Sequence, residues 1–540
     1  MKTIAAKKEN DAGDALPLLA LKVAPFQFDV NYKFSNISIR DQIVRAQMAV
    51  RALVSTGLLH GKTQEPNPPS PMKQRQLLIC GAGVAGIAAA WEAENLGLSF
   101  VLIDAAARFP AGVLASKAER YVSPAMYEWP SITFDEHTFP LSQPSLLGSK
   151  LSPDTLTIPM SEPLPIAEFS RRFQLAVHHR VDSWLANAKS LPQQRVFFLQ
   201  TRISRNSKLD LLQTLTAGTT MLASATVKGP HAVPGTVAAL KPVTLEKSGD
   251  ALEPISFDYV LYAAGFGKES RAFDDGRIVR TLQLKGFWER DKLTRKYFGI
   301  STRDRSRMRP SALVVGSGDG ALQDALRCLT RSSVTPQPVA IWHALIGTLR
   351  LPGHSFKDIG GNASVKALLN KLATFDTYTT SGYTWSAKHN VFSQLDDNFK
   401  AAAIQFWEEN RTALVANASR FLRNDVERIV IATRSLYFGR AYALNRFLVY
   451  LLNVMLSDAR ARKRWWPKLE LTDDLSRVQG RKRKSRGGLA KFKGSKSWKD
   501  FEVIILRGGL ERGFGQHVGL SIMNKGRIEL GRIPPPIVAV

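Results

Sequence analysis

The sequence predicts an α/β protein in which two strand–glycine-rich turn–helix units are joined to a mainly helical region. Three observations carry that expectation. Gly81-Ala-Gly83-Val-Ala-Gly86 directly follows an apolar strand, Gln76–Cys80, and opens a helix. Ala312-Leu-Val-Val-Gly316-Ser-Gly318-Asp319-Gly320-Ala321 has the same order later in the chain. Between residues 362 and 460 the apolar residues recur at helical rather than strand spacing.

The elements follow in order. Ser38 to Gly57 reads as a helix, with Ser38 as its cap, Ile39, Ile43, Ala46, Val50, Leu53 and Val54 on one face, and Gly57 as its stop. Pro66-Asn-Pro-Pro-Ser-Pro71 is a stiff linker. The strand Gln76–Cys80, a helix from Val84 to Leu96 and a strand Ser99–Ile103 form a βαβ opening. Residues 105–165 read as ordered loops rich in Pro, Ser and aromatics, and Ile166–Ala188 as a helix. Strands are expected at Arg195–Gln200, Met221–Val227, Val243–Leu245 and Tyr259–Tyr262, then at Leu313–Val315, Val339–Trp342 and Phe501–Leu506. The resulting division is 1–72 as an extension, 73–310 as the first dinucleotide-type domain and 311–361 as a second such unit. A helical region, 362–460, and a basic stretch with a strand and tail, 461–540, complete it. No repeat recurs at a fixed period.

Composition narrows the chemistry. The 540 residues suggest three or four units at about 150 residues each. Cys80 and Cys328 are the two cysteines, which excludes a disulfide scaffold, a zinc ribbon and a CxxC dithiol. No HExxH or Cys/His cluster is present, so no metal is expected. The most apolar stretch, Phe447–Leu456, is far short of the roughly 20 residues that span a bilayer and reads as a buried helix. The start, Met1 to Ala20, carries Glu9, Asp11 and Asp14 and has no secretory core, so a reducing cytoplasm is the expected setting. The net charge of +28 implies attraction to polyanions.

In the first motif the glycines answer a geometric need. Gly81 permits the tight turn, Gly83 lets the backbone approach a pyrophosphate, and Gly86 lets helix and strand pack closely. Ala85 lies inside that turn. The helix N-terminus offers unpaired N–H groups to phosphate. Asp104 ends the second strand where a carboxylate accepts ribose hydroxyls.

These residues resemble the FAD-binding domain of flavoproteins with two dinucleotide-binding domains. That family includes flavin-containing and Baeyer–Villiger-type monooxygenases and the pyridine-nucleotide reductases. The resemblance implies a Rossmann-like FAD-binding domain. Asp258-Tyr-Val-Leu-Tyr-Ala-Ala-Gly265-Phe looks like the family's "ATG" segment, with Ala264 in place of its usual Thr. Gly112 and Arg120-Tyr121 sit where monooxygenases of the group carry a GG and an RYP-like stretch near the flavin. By resemblance, Arg120, Ala264 and Gly265 join the cofactor-binding residues.

The second motif admits two readings. In one, Gly316, Gly318 and Ala321 form a pyridine-nucleotide pyrophosphate site, with Val339–Trp342 as the next strand. That strand ends in His343 without an acid, and Arg350 lies close behind, which leans toward NADP over NAD. In the other, Gly318-Asp319 is the Gly-Asp that many FAD proteins place against the ribityl chain.

A flavin carries the electrons itself, so no acid/base triad is required. His137 is the best acid/base candidate, in a loop with Tyr127, Trp129 and Phe134 that could line a pocket. Tyr442, Asn445 and Arg446 are candidates to face substrate from an apolar helix, Arg446 also as a catalytic group. His178 and His179 are adjacent on a helix and diverge. From Arg460 to Lys499, 15 basic residues face 3 acids, with Trp465, Trp466 and Trp498 interleaved. That mixture suits a solvated loop, weak nucleic-acid binding or an anionic surface. The leading expectation is an FAD-dependent oxidoreductase, reduced by NADPH or NADH, of monooxygenase type on a small organic substrate. The alternatives are an FAD-dependent amine or amino-acid oxidase that does not use NAD(P)H, and a flavin- or nucleotide-binding interaction protein with a basic surface.

Overall fold

The computed structural model describes residues 39–60, 74–122, 164–188, 195–203, 256–265, 285–300, 309–331, 391–434, 437–438, 441–461, 463–480 and 487–508. It also describes short pieces between 18 and 30, 138 and 159, 245 and 251, 272 and 278, and 341 and 375. The expected strand Met221–Val227 and the residues His137, Tyr127, Trp129 and Phe134 lie outside them.

The first sheet begins earlier than the glycine motif. Lys22–Ala24 (β1) and Gln27–Asp29 (β2) are followed by helix α1, Ile39–Ser55. Then come β3 (Gln74–Cys80), α2 (Val84–Asn95), β4 (Phe100–Ile103), α3 (Ile166–Asn187) and β5 (Arg195–Phe198). A small antiparallel set, β6 (Thr201–Ile203), β7 (Leu245–Lys247) and β8 (Asp250–Ala251), leads to β9 (Ser256–Tyr262). The sheet order is β1-β2-β9-β3-β4-β5, parallel from β2 to β5. Residues 22–55, set apart in sequence as an extension, therefore belong to this unit. Strand β2 extends the sheet edge at β9, and α1 packs on α2 through the Arg51–Glu92 ion pair at 2.8 Å. The middle strands are apolar throughout, such as Leu77-Leu-Ile and Phe100–Ile103, because both faces of the sheet are covered.

The second sheet is assembled from three segments that the sequence separated. Ser311–Val315 (β10) turns into α4 (Asp319–Leu329). A helical excursion containing α5 (Val391–Phe421) follows, and its ends meet: Thr330 bridges Leu422, and the Arg331 and Arg423 amides donate to Phe421 O and Leu329 O, both at 2.9 Å. The chain resumes as β11 (Arg428–Ala432), α6 (Ala443–Ser457) and β12 (Lys468–Thr472). The antiparallel strands β13 (Leu475–Gly480), β14 (Gly488–Phe492) and β15 (Lys499–Phe501) precede β16 (Val503–Leu506). The order β12-β11-β10-β16 is parallel throughout. The helical region 362–460 thus contains β11, and the basic stretch is largely a strand meander.

Alternation along these strands sorts the second core into two faces. Ala312, Val314, Ile429, Ile431, Val503 and Ile505 meet the helices, while Leu313, Val430, Ala432, Ile504 and Leu506 meet Leu475, Ala490 and Phe501 of the meander. Of the expected strand Val339–Trp342, the described residues Ile341 and Trp342 are helical. Trp342 is buried against Phe406 and Phe447, so its apolar character serves helix packing. The lean toward NADP drawn from that strand loses its footing.

Numbered within each unit, both sheets read 3-2-1-4, with an antiparallel set inserted between strands 3 and 4. Each glycine turn sits at the end of strand 1. It lies beside strand 4, where the order reverses and open α/β sheets bind ligands.

Candidate functional site

At the first switch point the turn is wedged between three backbone segments. Gly81 donates to Ile103 O at 2.7 Å, and Ala263 donates to Cys80 O at 2.7 Å. Gly81 has φ +106°, and a Cβ there would stand 2.6 Å from Ala263 O. A Cβ on Gly86 would stand 1.7 Å from Gly81 O, so helix and strand pack without a side chain between them. Gly83 differs: a Cβ there would meet no described residue within 4 Å. It caps α2 without a side-chain hydrogen bond, leaving the first-turn amides open to an anion. Ala85 is buried beneath the turn, whereas Ala264 is exposed at the end of β9, followed by Gly265 at φ +80°.

Asp104 stands where the sequence put it, with an added task. Its Oδ2 accepts the Ala82 amide at 2.6 Å and its Oδ1 accepts the Ala106 amide at 2.7 Å. Two of about four carboxylate lone-pair sites are engaged, which leaves capacity for ribose hydroxyls while bracing the turn.

The second switch point reproduces the first. Gly316 donates to Ala432 O at 2.9 Å and Arg507 donates to Val315 O at 2.8 Å. Gly316 has φ +137°, and a Cβ there would stand 2.4 Å from Arg507 O. Gly318 caps α4 without a side-chain bond, and a Cβ there would meet no described residue within 4 Å. Ala321, wholly buried, holds the third, tight-packing position. Because β11 is strand 2, the position matching Asp104 is Thr433, followed by the exposed Arg434. Sequence reasoning missed this pair. The signal was the apolar run Arg428–Ala432 inside a block read as helical.

Asp319 turns away from the open side. Its Oδ1 accepts the Tyr442 amide at 2.6 Å and Asn445 Nδ2 at 2.8 Å, so it fixes the start of α6. That engagement weighs against the ribityl reading of Gly318-Asp319. Burial pushes the Asp319 carboxyl up to about 6, against the pull of those donors and of Arg446. A raised carboxyl favours the folded state only while protonated. That contribution is complete below the ordinary value near 4 and is lost as pH rises through about 6. Asp319→Asn keeps the acceptor. In urea unfolding it should gain up to about 3 kcal/mol on the wild type between pH 4 and pH 8. Parallel pH profiles for the two proteins would refute this.

Two other candidates are structural. Arg446, fully buried, pairs with Asp396 Oδ1 at 3.2 Å and lies 5.2 Å over the Phe399 ring, so it does not face substrate. Arg120 is 2% exposed and tied to Asp324 Oδ1 at 2.7 Å, to Phe287 O at 2.9 Å, and to the Phe287 ring at 3.9 Å. It clamps the first unit to the second instead of meeting a cofactor. Asp324 also holds Arg327 at 3.0 Å and Arg507 at 2.8 Å, and Arg327 is forked onto Asp291 at 2.8 and 2.9 Å. Burial alone would raise the Asp324 carboxyl, but Arg120, Arg507 and Arg327 hold it well below the usual range. The segment 285–300 shares this junction: Trp288 O accepts Ser116 Oγ, and Thr294 donates to Glu119, at 2.6 and 2.5 Å.

Gly112, at φ +60°, opens a short turn whose Leu114 O accepts Ser170 Oγ at 2.7 Å. Burial pushes the Cys328 thiol up to about 12 and the Cys80 thiol up as well. Among the described residues no group of three or more His, Cys, Asp or Glu could hold a metal ion. None of their helices is long and apolar enough to cross a membrane. In the basic stretch Trp466 is buried in the second core with Trp465 against it, and Trp498 alone of the three is exposed. A base-stacking row of tryptophans is therefore not formed.

No family model matches the chain, and no curated protein matches it either. Among solved structures it is similar to a flavin monooxygenase variant from Stenotrophomonas maltophilia, at 11% identity and TM-score 0.36, covering 84% of each chain. A cyclohexanone monooxygenase variant from Rhodococcus sp. Phi1, bound to NADP+, matches at 10% identity and TM-score 0.35 over 82% of this chain and 73% of that one. The bacillithiol disulfide reductase from Staphylococcus aureus matches at 9% identity and TM-score 0.32, over 81% and 77%. At these values the functional reading has to rest on the geometry of the chain itself.

Proposed function

We propose that the chain is a flavin-dependent oxidoreductase that holds FAD on the first glycine turn and takes reducing equivalents from NADPH on the second. The observation that carries the reading is the duplicated switch point: two 3-2-1-4 sheets, each with an uncapped helix behind an open glycine. When bound, FAD supplies the two-electron chemistry. The residues of the first unit fit it. Gly83 admits a pyrophosphate, the first turn of α2 offers amides and a partial positive charge, and Asp104 retains lone pairs for ribose. Ala264 and Gly265 leave the crevice beside β9 free of bulk.

In the second unit Gly318 takes the pyrophosphate position and Arg434 the ribose 2′-phosphate, since no carboxylate ends β11. The two cysteines, buried and raised in pKa, cannot relay electrons as a dithiol. Oxygen or a small organic molecule is then the acceptor, which favours monooxygenase chemistry over disulfide reduction.

The purified chain should be yellow and should bleach anaerobically with NADPH faster than with NADH. Arg434→Ala should weaken NADPH binding by 10- to 100-fold, on the order of one to three charge-assisted contacts, and NADH binding less than about twofold. A colourless protein that cannot take up FAD would sink the proposal. Bleaching by an amine substrate but by neither nucleotide would favour the oxidase alternative.

A further inference from the structure

The segment 285–300 runs between the two units as a strap, and its anchors alternate between them. On the first unit, Ser116 Oγ donates to Trp288 O at 2.6 Å and Thr294 Oγ1 donates to Glu119 at 2.5 Å. On the second, Arg507 Nη1 donates to Lys285 O at 2.6 Å, and Arg423 donates to Leu293 O and Arg295 O at 2.6 and 2.8 Å. The Tyr297 amide adds a bond to Asp425 Oδ2 at 2.5 Å. The apolar side chains divide in the same way. Trp288 packs on the first core, whereas Leu293 and Phe298 are buried in the second.

The strap also reaches the second glycine turn. A Cβ on Gly320 would stand 3.1 Å from Phe287 Cδ2 and 3.5 Å from Arg507 Cδ, so the Phe287 ring is seated on the first turn of α4. The motif is thus glycine-rich for two partners: Gly318 leaves room for a ligand, and Gly320 leaves room for the strap. Phe287 meets the first unit as well. Arg120 donates to its carbonyl at 2.9 Å and lies over its ring at 3.9 Å.

The join beside that ring is ionic and buried. Arg120 enters it from the first unit, 2.7 Å from Asp324 Oδ1 and 3.6 Å from Asp291 Oδ2. With Arg327 and Arg507, three guanidinium groups there meet two carboxylates among the described residues. Units of one chain ordinarily move against each other unless their interface is large and apolar. Here such movement would draw a buried cation away from both of its carboxylates, which is strongly unfavourable.

We infer that the two nucleotide units work in one fixed register, and that the strap 285–300 is the positioning segment that sets it, with Phe287 as its contact to the second glycine turn. The inference rests on the reading of both turns as nucleotide sites. A fixed register matters because transfer between two bound groups is steep in their separation, and a misplacement of about 1 Å can cost 100-fold in rate.

Spin labels on Leu175→Cys in α3 and Ile404→Cys in α5, residues 57% and 43% exposed on the two units, report the register by pulsed dipolar spectroscopy of the full chain. The native Cys80 and Cys328 are buried and do not take the label. The chain labelled at these two positions should show one narrow distance, and adenosine 2′,5′-bisphosphate should leave it unchanged. Arg120→Met, made in that labelled chain, removes the first unit's cation and leaves two guanidinium groups on two carboxylates. It should spread the distances. Its affinity for the bisphosphate should stay within about twofold, while anaerobic bleaching at saturating NADPH slows at least about tenfold. Ser116→Ala with Thr294→Val unpins the strap from the first unit without touching the buried ions and should act in the same direction. A second distance in the parent labelled chain, before or after the bisphosphate, overturns the fixed register. So does an Arg120→Met chain that keeps the parent distance, or one whose distances spread while its bleaching rate holds. A wild type that binds no bisphosphate overturns the nucleotide reading, and this inference with it.

Discussion

Replacing Gly83 with alanine is expected to leave the fold intact and to weaken FAD binding at least tenfold, whereas Gly86→Ala should cost both. The two glycines are three residues apart in one turn, and their surroundings differ completely. At Gly86 a methyl would fall 1.7 Å from Gly81 O, a backbone atom of a residue whose N–H is bound to Ile103 O. Helix and strand would have to separate, and overpacking of this kind costs about 1–3 kcal/mol, more when backbone must move. Gly83 has φ −73°, which alanine adopts freely, and its methyl would enter open space above the α2 N-terminus. Among the described residues nothing stands where that methyl would go, so its expected effect falls on ligand binding. Thermal melts and flavin titration of both variants separate the effects. A Gly83→Ala protein with normal FAD affinity would show that no pyrophosphate approaches there.

Asp324→Ala should destabilise the chain by about 3–5 kcal/mol, the cost of leaving a buried charge without its partner. One carboxylate accepts from Arg120, Arg327 and Arg507, whose side chains are at most 4% exposed, and among the described carboxylates Asp291 remains beside Arg120 and Arg327. The same group makes a pH prediction. Its folded value is depressed, so its contribution is complete above the ordinary carboxylate value near 4 and is lost as pH falls further. The wild type should therefore lose stability below about pH 4 more steeply than Asp324→Ala does. Urea midpoints measured from pH 6 down to pH 3 give both quantities. A midpoint shift confined to the limits of an exposed pair, under about 1 kcal/mol, would mean that the cluster is not a clamp.

What could be read in advance follows the range of the interactions. The turn Gly81–Gly86, its flanking strand and helix, and Asp104 are local, set by residues within about two dozen positions, and all were legible. The second turn was legible for the same reason. Its sheet was not, because β10 pairs with β11 and β16 across long intervals, and no periodicity in one segment announces a partner in another. Ile341-Trp342 shows the cost: an apolar, β-branched run reads as a strand until the helices that bury it are known. Arg120 was singled out by family resemblance, and Arg446 as a polar group on an apolar helix. Their partners Asp324 and Asp396 arrive from 204 and 50 residues away, and those partners turn both arginines into anchors. The basic run Arg460–Lys499 looked like a unit because charge is visible in sequence, whereas the alternation that lays Leu475, Ala490 and Phe501 onto the sheet is sparse.

The closed insertion also bears on how the second unit comes together. Ser311 and Arg428 are register partners in adjacent strands, yet more than a hundred residues lie between them. Joining strand ends across a disordered chain of that length carries an entropy that grows with the logarithm of the loop. If α5 packs on α6 first, the excursion contracts to the Thr330–Leu422 closure and the effective loop is short. Refolding should then be helix-first, with strand pairing rate-limiting, and variants that loosen Phe406 or Phe447 should slow sheet formation more than they speed unfolding.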